Sequence, residues 1–204
     1  MRKLASLALV LTTIGCTPYH LVPEGKVDFA DKNAATTTPV AWNGRNADAV
    51  YTWTQDGPDL QNMIFHLDIA DGKTLATSLD VESRLHPLLV LAGKIPDEVS
   101  FRFQRSMTEP EIMDLFAASM GKLTGVPVAT TNLRPSTLGG QPGFRFDYTF
   151  TGKDEVRRAG FAVGAVVDSK LSLVHYYGTE AYHFQKHRDD AERVIAAFQF
   201  KKKS

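Results

Sequence analysis

Phe144, Phe146, Tyr148 and Phe150 alternate with Arg145, Asp147 and Thr149. Successive side chains of a strand point to opposite faces, so this run predicts a strand with one aromatic and one polar face. Each ring takes about 150–250 Å² out of water when buried. The chain must therefore build a sheet and cover its aromatic side.

The neighbouring segments supply the partners. Val50 to Thr54 and Leu60 to Leu67 read as strands, separated by the turn residues Asp56-Gly57-Pro58, and Asp71-Gly72 marks a further turn. Residues 74–103 carry no clear pattern, least of all Leu88 to Ile95. Val128 to Leu133 is a strand candidate, followed by a turn at Gly139-Gly140-Gln141-Pro142-Gly143. Gly152-Lys153-Asp154 and Asp168-Ser169-Lys170 then bracket the strand Val156 to Val167, and Leu171 to Tyr177 is the last. Gly160, Ala162 and Gly164 share one face of the long strand, where a helix can approach closely.

Two helices complete the pattern. Thr108, Pro110 and Glu111 form a helix start with a capping box, and Ile112, Leu115, Phe116 and Met120 follow at helical spacing. Gly121 or Gly125 can end that helix. Ala191, Val194, Ile195 and Phe198 mark a second amphipathic helix near the C-terminus. Hairpin-length turns between strands, with helices on either side of the run, predict an α+β fold: an antiparallel meander covered by helices.

The first sixteen residues are of another kind. Arg2 and Lys3 precede an uncharged stretch from Leu4 to Ile14, far short of the roughly 20 apolar residues a membrane-spanning helix needs. The stretch ends Thr12-Thr13-Ile14-Gly15-Cys16, which resembles the bacterial lipobox, with Thr13 in place of the usual leucine. That resemblance implies removal of residues 1–15 and acylation of Cys16. Cys16 is the only cysteine, so no intramolecular disulfide, catalytic thiol or cysteine-based zinc cluster is available. Thr17, where an aspartate would signal inner-membrane retention, implies the periplasmic face of the outer membrane. The expected organisation is a leader over 1–15, lipidated Cys16 and a tether over 16–35, one domain over 36–200 and a basic tail over 201–204.

Charge excludes one class of partner. Lysine plus arginine and aspartate plus glutamate each number 23, and two of the basic residues lie in the leader. The remaining charges are dispersed, which gives no field for nucleic acid. The run Lys201-Lys202-Lys203 is a solvated tail or a contact for anionic lipid headgroups.

Thr38-Pro39-Val40-Ala41-Trp42 resembles the proline–tryptophan lead-in of PsbP-like α/β/α sandwich domains. The order of mid-chain helix, Gly-Gly-x-Pro-Gly turn, antiparallel meander and closing helix is similar to theirs too, over about residues 36–200. The resemblance, to the uncharacterised lipoproteins of that group in particular, implies a non-catalytic binding or assembly module and supplies no catalytic residues.

No constellation for chemistry stands out. His183 and His187 sit one turn apart with Asp190 beyond, a spacing that suits metal ligation, but no glutamate is placed as in H-E-x-x-H. A solvated helix end is the expected reading. His175 shares a face with Leu171, Leu173 and Tyr177 and is expected to be half-buried and hydrogen-bonded. No phosphate loop or nucleophile elbow is present, and Asp68 and Asp71 lack the alternating ligands of a calcium loop. No cofactor or metal is expected, and the chain is not expected to be an enzyme. Trp42, Trp53 and the aromatic strand are expected in the core; lining a ligand pocket is the alternative. The expected role is an envelope module bound to lipid through Cys16 with a protein partner, and the alternative is a periplasmic small-ligand carrier. A hydrolase would need a polar triad that the sequence does not offer.

Overall fold

The computed structural model describes residues 19–29, 32–47, 50–75 and 101–201. Cys16, the leader, residues 76–100 and Lys202 to Ser204 lie outside the described residues. The elements run β1 (His20–Val22), β2 (Gly25–Phe29), β3 (Ala34–Thr38), β4 (Trp42–Ala47), β5 (Val50–Thr54) and β6 (Gln61–Ile69). Then come α1 (Glu109–Thr124), β7 (Ala129–Leu138), β8 (Gln141–Thr151), β9 (Arg157–Val167), β10 (Lys170–Thr179), α2 (His183–Ala196) and β11 (Gln199–Phe200).

An eight-stranded antiparallel sheet in the order β1-β4-β5-β6-β10-β9-β8-β7 forms the central layer, and a small sheet β11-β3-β2 lies apart from it. Two apolar clusters occupy its two faces. Phe144, Phe146, Tyr148 and Phe150 pack with Ile112, Leu115, Phe116 and Met120 of α1 on one face. Trp42, Trp53, Phe65, Phe161 and Tyr176 pack with Ala191, Val194 and Ile195 of α2 on the other, together with Phe29 of the small sheet. The fold is the α+β sandwich that the helix and strand patterns predict.

Local chemistry accounts for most boundaries. The backbone N–H and hydroxyl of Thr108 both donate to the Glu111 carboxylate, at 2.7 and 2.8 Å, which fixes the start of α1. Gly125, at φ 70°, ends it with an N–H bond to the Gly121 carbonyl. The β7–β8 hairpin turns on Gly139 and Gly140, both at positive φ, the conformation that matches strand twist in a two-residue turn. Asp168 and Ser169 adopt the same conformation between β9 and β10. β7 tolerates Pro135 because it is an edge strand. In the lead-in, the Trp42 indole N–H donates to the buried Thr38 hydroxyl at 2.8 Å, and that hydroxyl donates to the Val40 carbonyl.

Three expectations need correction. The ordered fold starts well before residue 36: β1 pairs with β4, and β2 pairs with β3, so the supposed tether supplies strands. The polar face of β8 is covered as well. Arg145 lies 4.1 Å from the Phe161 ring centroid and forms a two-pronged ion pair with Glu192 of α2, because α2 packs over that side. Last, Gly160, Ala162 and Gly164 make room for rings and not for a helix. They stand opposite Tyr148, Phe146 and Phe144 in the β8–β9 register. A Cβ on Gly160 or Gly164 would come within 2.5 or 2.6 Å of the facing ring.

Candidate functional site

α1 covers the β7–β10 side of its face, and a cavity of about 270 Å³ opens beside it. Its floor comes from β5 and β6, through Val50, Thr52, Asn62, Ile64 and His66, with Tyr177 of β10. Phe116, Ser119, Met120 and Leu123 of α1 form one wall, and Leu75 adds to it. Tyr19, Arg45, Pro58 and Asp59 complete the lining. The positions follow from strand periodicity: residues 62, 64 and 66 of β6 share a face.

The lining mixes apolar side chains with the polar groups of Thr52, Asn62, His66, Ser119 and Tyr177. Asn62 donates from Nδ2 to the Pro58 carbonyl at 2.6 Å and to the Tyr177 hydroxyl at 2.8 Å. Both bonds use the amino group, which leaves Oδ1 buried with no hydrogen-bond partner. Ser119 Oγ is likewise buried and unpartnered. Both residues are more than nine-tenths buried, Asn62 at 3% and Ser119 at 7% exposure. Buried polar atoms usually find a partner, and leaving one without costs about 1–3 kcal/mol.

Behind the floor runs a chain of hydrogen bonds. The Tyr148 hydroxyl meets His175 Nδ1 at 2.7 Å, and His175 Nε2 meets His66 Nε2 at 3.2 Å. The Tyr148 hydroxyl also lies 3.5 Å from the Tyr176 carbonyl. His175 is completely buried rather than half-buried. Burial, with the neighbouring His66 adding to it, holds the His175 imidazole well below its usual pKa and therefore neutral. Burial likewise pushes the Tyr148 hydroxyl well above the usual tyrosine range. Ser119 Oγ, having no partner, is not bonded to either histidine, so no base activates it as a nucleophile.

The other candidates lie elsewhere. His183 and His187 do face one way, but Asp56 meets them in place of Asp190. Asp56 Oδ2 accepts from Lys186 at 2.8 Å and meets His187 Nε2 at 2.6 Å, and His183 Nδ1 bonds the Thr179 hydroxyl at 2.8 Å. Those two contacts pull the Asp56 carboxyl below the usual range, with Lys186 the larger cause. His187 is 6% exposed, so this helix end is packed rather than solvated as expected. Asp190 pairs with Arg193 at 3.6 Å. Among the described residues no group of three or more histidine, cysteine, aspartate or glutamate side chains is placed to hold a metal ion. Asp68 pairs with Lys170, and Asp71 accepts from the Arg105 backbone. Lys201 pairs with Asp28 at 2.9 Å. Neither the aromatic strand nor Trp42 and Trp53 line the cavity; all are core. The sequence reading missed Asn62, His66 and Ser119. The available signal was three polar residues, Gln61, Asn62 and His66, in the otherwise apolar run 60–67, where a strand buried on both faces should have none.

No protein-family model matches the chain, and no curated protein sequence matches it significantly. Among solved structures, the chain is similar to the solution structure of cyanobacterial PsbP (CyanoP) from Synechocystis sp. PCC 6803. Identity is 12%, the TM-score is 0.53, and the match covers 94% of this chain and 97% of that one. A crystal structure from Bacteroides thetaiotaomicron gives 8% identity and a TM-score of 0.47, over 89% of this chain and 50% of that one. The chain thus has the PsbP-like fold, as its lead-in and element order implied.

Proposed function

We propose that this protein is a non-catalytic binding module of the bacterial envelope, anchored through acylated Cys16, whose binding site is the cavity beside α1. The observation that carries the reading is the cavity itself, where Val50, Ile64, Phe116, Met120 and Leu123 are interspersed with Thr52, Asn62, His66, Ser119 and Tyr177. A few convergent polar groups in an apolar cavity are the usual composition of a small-molecule site. The exposed large apolar side chains argue less for a protein partner. Val156, just before β9, and Val166, near its end, for instance, stand about 33 Å apart at 3.3 Å per residue. Among the described residues no nucleophile–base pair is assembled at the cavity, which supports binding over catalysis. Anchoring rests on the lipobox-like segment, and among the described residues no helix is long and apolar enough to cross a membrane. The outer membrane is the proposed site, from Thr17.

Two measurements test this. Cys16→Ser should release the protein from the membrane fraction or leave it unprocessed; retention at the mature size overturns the anchor. Native mass spectrometry of the full-length protein, extracted from membranes, should show a bound small molecule that Leu123→Trp removes. A bound mass that survives that filling of the cavity places the site elsewhere.

A further inference from the structure

Taking that cavity as the binding site, we infer that residues 55–60 form a gate at its rim, which Asp56 holds shut by gripping α2 on the opposite face of the sheet. The loop joins the end of β5 to the start of β6 and so rounds the end of the sheet. Its parts serve different faces. Asp56 reaches α2, where its Oδ2 accepts from Lys186 Nζ at 2.8 Å and meets His187 Nε2 at 2.6 Å. Pro58 and Asp59 line the cavity on the α1 side and are themselves exposed to solvent, which places them at its rim.

The loop is built to move as one piece. The Leu60 and Gln61 N–H groups both donate to the Gly57 carbonyl, at 3.1 and 3.2 Å, which closes a compact turn over Pro58 and Asp59. What holds Asp56 therefore holds the rim. Three other ties reach this turn. The Thr54 hydroxyl accepts the Gly57 N–H at 3.0 Å, Asn62 Nδ2 donates to the Pro58 carbonyl at 2.6 Å, and Arg158 Nη2 donates to the Asp59 carbonyl at 2.8 Å. Each of these is a single bond to a backbone group. Asp56 instead sets a carboxylate against a lysine and a histidine, and hydrogen bonds to an ionised group are about twice as strong as neutral ones. The far side of the grip is steady, because the Tyr176 hydroxyl pins the first turn of α2 through the His183 carbonyl at 2.7 Å. Access to a cavity on one face thus depends on a helix packed against the other.

Opening can be read with a thiol on the cavity floor, in the full-length protein extracted from membranes. Ile64 is 7% exposed, so N-ethylmaleimide reaches Ile64→Cys through openings of the structure. Peptide mass mapping keeps that signal apart from Cys16. Val174→Cys, in the core on the α2 face, is the control that reports global unfolding. Asp56→Ala should raise the ratio of the two labelling rates about tenfold, the equivalent of one hydrogen bond to a charged group. Asp56→Asn, which keeps an acceptor for Lys186, should fall between. Lys186→Met should slacken the rim in the parent and add nothing to Asp56→Ala. An equal rise at both thiols makes Asp56 a plain stability residue and overturns the gate, as does an unchanged rate at Ile64→Cys. Additive effects of Lys186→Met and Asp56→Ala overturn the grip on α2. Native mass spectrometry decides the binding reading separately: gated access to a cavity that carries no bound molecule sinks that reading and leaves the gate standing.

Discussion

The rings of His66 and His175 stack at 9° with centroids 5.3 Å apart and their Nε2 atoms 3.2 Å from each other. They come from diagonal positions of neighbouring strands, since His175 stands opposite Ile64 and His66 opposite Leu173. The contact holds one proton between the two rings, and complete burial of His175 disfavours adding a charge to it.

Stability should therefore depend on pH in a defined window. The unfolded chain protonates His175 below its usual pKa of about 6.5, whereas the folded protein does not. The unfolded state then binds more protons, so stability is undiminished above about pH 6.5 and falls below it, by up to about 1.4 kcal/mol per pH unit for one proton. Asp154 acts in a different range. The Arg158 hydrogen bond is the main reason its carboxyl is lowered to about 2. That contribution is present above the unfolded value of about 3.9 and is lost as the pH falls towards the folded one. Urea midpoints between pH 7.5 and 5 should decline in the parent and less in His175→Gln; parallel profiles would remove the assignment.

Phe146→Ala should be strongly destabilising. Phe146 is fully buried, meets Phe116 of α1 edge-on at 5.1 Å and stacks on Phe144 at 6.2 Å. Truncating a buried phenylalanine costs about 3–5 kcal/mol, against roughly 5–15 kcal/mol in total for a domain. The unfolding midpoint in urea reads it out.

Arg145→Ala should cost more than a surface change. The guanidinium is held at two points by Glu192 and lies on the Phe161 ring, with its side chain 15% exposed. A loss of about 1–2 kcal/mol is expected, above the 0–1 kcal/mol of exposed pairs. A double-mutant cycle with Glu192→Ala isolates the coupling; zero coupling would show that α2 holds its place without this pair.

Gly160→Ala should destabilise although it adds one methyl group. The new Cβ would stand 2.5 Å from the Tyr148 ring and 2.6 Å from the Tyr176 carbonyl oxygen, and backbone cannot step aside cheaply. Overpacking of this kind costs about 1–3 kcal/mol. Ala162 already carries a methyl group opposite Phe146, so a neutral Gly160→Ala would mean that Tyr148 can shift where the neighbouring ring does not.

Local chemistry was the legible part of the sequence. The Thr108–Glu111 box, the Gly139-Gly140 turn and the aromatic alternation of β8 are short-range signals, and the structure bears each of them out. The edge strands were not legible. β2 shows at most half-buried side chains before Phe29, and β1 is three residues long, so neither carries a periodic apolar pattern and both look like linker. The cavity was illegible for a different reason. Asn62 and His66 interrupt an apolar strand without explanation until β10 brings His175 and Tyr177 beside them, and Ser119 looks like filler within a helix until the space next to it is seen. Pairing over a hundred residues decides these roles, and no window of sequence contains it.

The early start of β1 sets the length of the leash. His20 already belongs to the sheet, and only Thr17, Pro18 and Tyr19 separate it from Cys16. Four residues of fully extended chain reach about 14 Å at most, so a lipid on Cys16 would keep the sandwich grazing its leaflet, unable to swing out across the periplasm. Its encounters would then be a search in two dimensions. With that anchor in place, whatever fills or empties the cavity would have to come to that leaflet, travel within it, or be moored to it as well.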